Sequence, residues 1–282
     1  MIILIENMTG NIYKKKVLIT VKTYPTLSSK YDELVCTAGI TEEGEWIRIY
    51  PMPFRKFEDY NKYKKYDWIE MELLKNPIDY RPESFRPYHT PAKLTILNHI
   101  STADKWKERK SIVLKNVYND LSLLISENKD DKGTSLVVFK PTKILDFTYE
   151  EVERVWDYKK LKIIEERTKQ TSLIDDIDET FKVVNKLPYK FRYKFEDING
   201  KVSNMMIEDW EIGQLYWNCF YTYKDEKVAL EKVKEKYFDD FAKTKDLHFF
   251  LGTTKEHNKR AKNPFVIIGT FHPPKDERIS LF

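Results

Sequence analysis

Three carboxylates close to one lysine are the residues of this sequence best suited to metal-dependent chemistry. They lie in the segment 67–72, as Asp67, Glu70 and Glu72, shortly before Lys75. Magnesium nucleases need carboxylates that converge on one ion, and they usually have a lysine nearby. In a strand, Glu70 and Glu72 share one side, and Asp67 takes the other unless a bulge intervenes. A metal-dependent nuclease or related hydrolase is therefore one hypothesis, and strand carboxylates that face water are the alternative.

A second acidic group, Glu208, Asp209 and Glu211, falls at the start of a predicted helix. The free N–H groups and the positive dipole end of a helix start favour carboxylates. This position accounts for the three acids without any catalytic role.

His257 is the one histidine of five that lies in a basic loop, residues 253–263. It is placed to act as an acid or base in RNA cleavage, and a solvated loop histidine is the alternative.

The sequence has no phosphate-binding glycine loop, nucleophile elbow or metal-spaced His or Cys motif. Its 8 glycines also disfavour the nucleotide-cofactor folds, whose phosphate turns need glycine. We predict no cofactor, except Mg²⁺ if the nuclease hypothesis holds.

Cations lie among aromatic residues around 46–65 and 189–196, and they recur in the basic loop 253–263. Cations contact phosphates and rings stack on bases, which is worth roughly 1–3 kcal/mol per base, so this mixture suits nucleic acid, single strands included. Buried rings beside solvated lysines are the alternative for the first stretch. The predicted nucleic-acid-binding residues are Trp46, Arg48, Tyr50, Arg55, Lys56, Lys62, Lys64, Lys65, Lys190, Arg192, Lys194, Lys255, Lys259 and Arg260.

The overall composition limits how basic the protein is. Of 282 residues, 49 are Lys or Arg and 45 are Asp or Glu, so the net charge is only +4. This balance excludes a strongly basic tail but permits a local basic face.

Cys36 and Cys219 lie in apolar segments far apart, which favours buried free thiols over a disulfide. With no signal peptide and no apolar run near twenty residues, we expect a cytoplasmic protein without membrane contact.

The chain up to residue 148 is predicted to form a β-rich, barrel-like domain. Segments 17–24, 33–40, 45–50 and 66–73 are rich in β-branched and aromatic residues, and the turn 41–44 indicates a hairpin. An apolar stripe between about 102 and 128 predicts one covering helix. Segments 135–139 and 144–147 are expected to be strands of the same sheet.

The rest of the chain is predicted to be a helical linker, 149–185, and an α+β domain, 186–282. Thr148 and Glu151 match a capping box, which predicts a helix from Tyr149, and a second short helix is expected over 172–185. Alternation over 189–196 and the turn at Asn199–Gly200 predict a hairpin. Two helices, from Asp209 and from about residue 225, and two closing strands complete a ββααββ order. The fold class is therefore α+β, ending in an antiparallel sheet with a helix pair.

The chain resembles a family of uncharacterised bacterial proteins in motifs at both ends. The motifs are Lys22-Thr-Tyr-Pro25, Lys30-Tyr-Asp-Glu-Leu-Val-Cys36, Gly44-Glu-Trp-Ile-Arg-Ile-Tyr-Pro51 and Asp209-Trp-Glu-Ile-Gly213. The resemblance spans most of the chain and transfers no catalytic residue. In some relatives Cys and His residues near the second hairpin imply a small metal site, but this hairpin has Glu196, Asp197 and Asn199 instead. The first domain is also similar, in strand order and aromatic content, to base-recognising barrels of the PUA and ASCH groups.

Three functional hypotheses remain at this point. The leading one is a protein that binds RNA or DNA without covalent chemistry, because cations and rings cluster in an otherwise charge-balanced chain. The second is the metal-dependent nuclease described above. The third is a protein-interaction module with a protein partner, and the resemblance suggests a multi-component bacterial system such as phage defence as its setting.

Overall fold

The computed structural model describes residues 11–28, 32–57, 62–175 and 183–276. It is an α+β protein with a barrel followed by a second sheet. The strands are β1 Tyr13–Lys22, β2 Thr26–Ser28, β3 Asp32–Thr41, β4 Trp46–Met52, β5 Asp67–Lys75, β6 Ser84–Pro87, β7 Thr95–His99, β8 Val117–Tyr118, β9 Leu136–Phe139, β10 Lys143–Glu151, β11 Tyr189–Glu196, β12 Val202–Ile207, β13 His248–Thr253 and β14 Phe265–Phe271. The α-helices are α1 Ala103–Val113, α2 Leu121–Lys129, α3 Tyr158–Asp175, α4 Trp210–Tyr223 and α5 Glu226–Lys234.

Five strands close the N-terminal barrel in the order β1-β3-β4-β6-β5, and pairing of β1 with β5 completes the circle. β2 adds to β3 and β7 adds to β5. The predicted hairpin of β3 and β4 is confirmed, and Gly44 takes a φ of +86° in its turn. A left-handed φ is costly for residues with a side chain, so glycine is the natural residue there.

The second sheet has the order β10-β11-β12-β14-β13-β9-β8. The expectation that segments 135–139 and 144–147 return to the first sheet is therefore wrong. β9 pairs with β13, and β10 pairs with β11 along its length. Their partners lie far along the chain, and strand propensity carries no information about partner choice.

Two helix predictions were also wrong in the region between the sheets. The expected single helix over 102–128 is two helices, α1 and α2, separated by β8. The expected helix start at Tyr149 is a strand, because Thr148 pairs with Arg192 of β11. The predicted helix over 172–185 falls partly on residues 176–182, which lie outside the described residues, and its first residues belong to α3.

The predicted ββααββ order of β11, β12, α4, α5, β13 and β14 is confirmed. Asp209 caps α4, since its carboxylate accepts a hydrogen bond from the backbone N–H of Glu211. α5 continues into a π-helical segment, Glu235–Ala242. These local signals were readable because capping and strand alternation depend on neighbours in sequence.

Three apolar cores hold the elements together. One fills the barrel, and one lies between the second sheet and α2, α4 and α5. The third joins barrel residues such as Leu18 and Ala38 to Val138, Phe250 and Ile268 of the second sheet. The barrel therefore covers the β14, β13 and β9 part of one sheet face.

Two further expectations can be compared with the fold. Cys36 and Cys219 are free thiols, as expected, although both are half-buried. Within the described ranges, no helix combines the length and the apolar character needed to span a membrane.

Candidate nucleic-acid interface

The outward face of β11 carries cations that the barrel leaves uncovered. Its other face, made of Tyr189, Phe191, Tyr193 and Phe195, is buried in the core. On the outward face Lys190 and Lys194 are exposed, whereas Arg192 donates to Glu150 at 2.9 Å. Strict alternation thus separates the rings from the lysines, and the two lysines point to solvent without an ion pair among the described residues.

The second cationic segment is the loop between β13 and β14. Asn258 anchors it: this side chain is buried, and its amide oxygen accepts from Asn128 at 2.7 Å and from Thr253 at 2.9 Å. The Tyr80 hydroxyl, from the barrel, also donates to the Asn258 carbonyl at 3.1 Å. The loop is therefore fixed at its centre.

The loop's cations differ in how they are engaged. Lys259 donates to the Asp130 carbonyl at 2.8 Å. Lys255, Arg260 and Lys262 are exposed and form no ion pair with any residue that the structure describes. His257 is also exposed, and its Nδ1 lies 2.8 Å from the Thr254 hydroxyl.

Glu208, the residue after β12, lies level with Lys190, because Ile207 pairs with Phe191 of β11. Burial raises the pKa of Glu208, and the positive charge of Lys190 acts to lower it. In the second sheet β12 alone separates β11 from β14, and the loop 254–262 leads into β14. Two of the three predicted cationic stretches therefore belong to neighbouring parts of one sheet.

The third stretch, in the barrel, is not part of this surface. Arg48 is only 3% exposed and donates to Glu83 and Ser135, so the expectation that it faces solvent is wrong. Lys65 is likewise buried and ion-paired. Tyr63 and Tyr66, the rings beside it, are buried too, and buried rings cannot stack on bases.

The remaining predicted residues of this stretch are spread over different environments. Arg55 is half-buried, and its Nη1 donates to both carboxylate oxygens of Glu33, at 2.6 and 2.7 Å. Trp46 is half-buried against Phe250, Tyr50 and Lys62 are half-buried, and Lys64 is exposed. The side chain of Lys56 lies outside the described residues.

The carboxylates proposed for metal binding do not converge. Asp67 contacts His99 at 2.7 Å, Glu70 contacts Lys14 at 2.8 Å, and Glu72 contacts His89 at 2.6 Å. Across the described part of the chain, no three His, Cys, Asp or Glu side chains are grouped to hold a metal ion. Geometry therefore gives no support to the nuclease hypothesis at this site.

Sequence reasoning missed a buried ionic cluster where the barrel meets α4. Lys65 Nζ lies 3.1 Å from Asp209 Oδ2 and 2.8 Å from Glu211 Oε2. Asp209 is fully buried, whereas half of the Glu211 side chain is exposed. Burial raises the pKa of Asp209, and the charge of Lys65 opposes that shift. Lys65 thus neutralises a carboxylate that would otherwise be buried alone.

Lys22 lies beside this cluster in a cage of aromatic rings. Its Nζ is 4.2 Å from the Phe54 ring centre and 5.6 Å from those of Tyr63 and Trp210, and it donates to the Tyr63 carbonyl. Burial lowers the pKa of Lys22 to about 8, and repulsion from Lys65 adds to the shift. The rings partly replace the water that the ammonium loses.

The motifs from the two ends of the chain meet at this junction. Thr23 pairs with Asp209 across an isolated β-bridge, and the Tyr24 hydroxyl accepts from Trp217 at 2.8 Å. A side chain at Gly213 would lie 2.2 Å from a ring atom of Tyr24, so glycine lets the ring approach α4. Residues of the two motifs, Thr23 and Tyr24 with Asp209 and Gly213, thus help to join the barrel to the second sheet.

Two family models match the chain. The model described as Domain of unknown function (DUF8758) covers residues 13–115, and the model described as Domain of unknown function (DUF8757) covers residues 119–282. The two matches meet between α1 and α2, where the chain passes from the first sheet to the second. A search of curated proteins found no match.

Proposed function

The chain belongs to the DUF8757 family, whose description gives no activity, and from its own residues we propose that it binds the phosphate backbone of RNA or DNA. The surface for this binding is the outward face of β11 together with the loop 254–262, hereafter the basic face. The proposal is carried by one observation: Lys190 and Lys194 of β11, with Lys255 and Arg260 of the loop, are exposed, form no ion pair among the described residues and belong to neighbouring parts of the second sheet.

The chemistry of the basic face favours phosphate over other ligands. Lysine and arginine at a surface bind nucleic acid mainly by neutralising phosphates and releasing counterions. The aromatic residues of β11 contribute to the protein core and not to the basic face. Binding there is therefore expected to depend little on sequence, since phosphate contacts position a duplex or strand without reading bases.

A charge-reversal experiment tests the proposal. Lys190→Glu combined with Lys194→Glu changes two exposed side chains on the basic face. The matched control is Lys227→Glu combined with Lys234→Glu, which makes the same charge change on the exposed side of α5, across the core. Binding is measured by fluorescence anisotropy with labelled RNA and DNA at low salt.

We expect the affinity of the β11 variant for RNA and DNA to fall more than tenfold, and the α5 control to bind with the affinity of the wild type. Equal weakening in both variants would mean that only net charge matters, and the basic face would lose its assignment. Absence of wild-type binding at low salt would refute the proposed function altogether.

A further inference from the structure

A cavity of about 610 Å³ lies where the barrel meets the edge of the second sheet. Barrel residues of the β3–β4 hairpin, Gly44 and Trp46 among them, form one wall, and β8, β9 and the end of α1 form the other. Its volume is typical of small-molecule sites, which often occur between domains. No sequence motif marks this cavity, because its walls come from segments far apart in the chain.

Two aromatic residues, Trp46 and Tyr118, line this cavity. Tyr118 packs against the core of the second sheet and donates to Glu127 at 2.6 Å, so Trp46 is the ring proposed for a ligand. It is half-buried, and the edge-to-face contact with Phe250 holds its ring in place at a centroid distance of 5.9 Å. The same side chain also lines a neighbouring cavity of about 540 Å³. An indole held in position at a cavity wall presents a surface on which a planar ring can stack.

The polar lining of the first cavity suits a nucleotide. Lys115 is exposed, forms no ion pair within the described ranges and points to Gly44 of the opposite wall. Lys132 is engaged with Glu127 at 2.7 Å, and Asp120 is engaged in capping α2. Lys115 therefore remains for a phosphate. In the neighbouring cavity, Lys15 and Lys75 are balanced by Glu45 and Glu83, so that cavity has no net preference for an anion.

Hydrogen bonds link one wall of the cavity to the loop 254–262. Thr134 lines the cavity, and its carbonyl accepts from Asn128, which also holds Asn258 of the loop 254–262. Gly133, next to Thr134, lies against the Lys259 side chain. The cavity wall and the loop are therefore adjacent in the fold.

We infer that this cavity takes one unpaired nucleotide of a bound strand, with its base against Trp46 and a phosphate at Lys115. Asn116 and Asn119 also line the cavity and offer amide groups for the edge of the base. The inference rests on the proposed nucleic-acid binding and adds a preference for unpaired over duplex strands. Recognition of unstacked bases by aromatic side chains is the usual way in which proteins read single strands.

Two variants test the cavity, and one controls for charge. Trp46→Leu keeps apolar bulk but removes the flat ring, Lys115→Glu reverses an exposed charge, and Lys227→Glu reverses one on α5. Each is titrated with a labelled single-stranded oligonucleotide, the blunt duplex of equal length, and AMP or UMP by calorimetry. We expect Trp46→Leu to weaken single-strand binding by about 5-fold to about 150-fold, the loss of one stacked base, and to leave duplex binding unchanged.

The outcomes separate this inference from the proposed function. If Lys115→Glu binds single strands and mononucleotides no more weakly than Lys227→Glu, the cavity is not the site; because Lys115 is exposed, this test does not depend on a folding defect. Equal loss of duplex and single-strand binding in Trp46→Leu also overturns the preference. If the wild type binds no oligonucleotide, AMP or UMP binding that Lys115→Glu removes still supports the cavity, and its absence overturns the inference as well.

Discussion

Replacing Lys65 with methionine would leave the buried carboxylate of Asp209 without its main countercharge. Unit charges 3.1 Å apart attract each other by about 5 kcal/mol at an effective dielectric constant of about 20. Removing one partner of a buried pair usually costs about 3–5 kcal/mol. Glu211 contributes less, because half of its side chain is exposed to solvent, which screens it.

Protonation of Asp209 sets an upper limit on this cost, and the limit depends on pH. The pKa of Asp209 in the folded wild type is raised to about 6, and protonating it costs about 1.36 kcal/mol per pH unit above that value. The limit is therefore about 2 kcal/mol near pH 7.5 and close to zero near pH 4.5, where Asp209 of the wild type is already protonated. Burial raises the folded-state pKa, so the folded variant holds a proton that the unfolded chain has released, and stability falls as pH rises through that window.

Urea unfolding followed by circular dichroism at the two pH values measures the effect. We expect Lys65→Met to lower the free energy of unfolding by about 2 kcal/mol near pH 7.5 and by less than about 1 kcal/mol near pH 4.5. Lys64→Met is the matched control, because this neighbouring lysine is exposed. An equal loss at both pH values, or an equal loss in the control, would refute the assignment of Lys65 to Asp209.

Three further substitutions test the junction by thermal and urea unfolding. Gly213→Ala should lower the free energy of unfolding by about 1–3 kcal/mol, because the new methyl group meets the Tyr24 ring. The same substitution should cost less in a Tyr24→Leu background, and losses that simply add would contradict this contact. The stability of the wild type should rise between about pH 8 and 10.5, because the folded state has released the Lys22 proton there and the unfolded chain retains it. Lys22→Met should remove this rise, and an unchanged pH profile would contradict the burial of the charge. Arg81→Ala should lower the free energy of unfolding by about 3–5 kcal/mol, because it leaves the buried Asp79 carboxylate without its countercharge. A loss under about 1 kcal/mol would refute this role of Arg81.

Local patterns predicted the elements whose stability depends on sequence neighbours. The cap at Asp209, the alternation of β11 and the hairpin at Gly44 were all read from residues a few positions apart. The capping-box prediction at Thr148 was wrong because pairing with Arg192 in a neighbouring strand overrides a local helix signal.

Long-range pairing decided which predicted site residues were available. Lys65 and Lys64 are adjacent and chemically identical, yet Asp209, 144 residues away, binds one of them inside the protein. Arg48 is likewise held by Ser135, 87 residues away. Composition places such cations on a surface by default, because charged residues are rarely buried. Only the packing of the barrel on the second sheet shows which of them are paired.

The salt dependence of wild-type binding tests the central claim most directly. Four exposed cations, Lys190, Lys194, Lys255 and Arg260, predict that log K falls with log salt concentration with a slope of about −3.6 for duplex DNA and about −2.8 for single strands. Anisotropy titrations of the wild-type protein over a series of salt concentrations give this slope. A slope near those values supports phosphate binding at the basic face, and a slope near zero, or no binding at low salt, contradicts it.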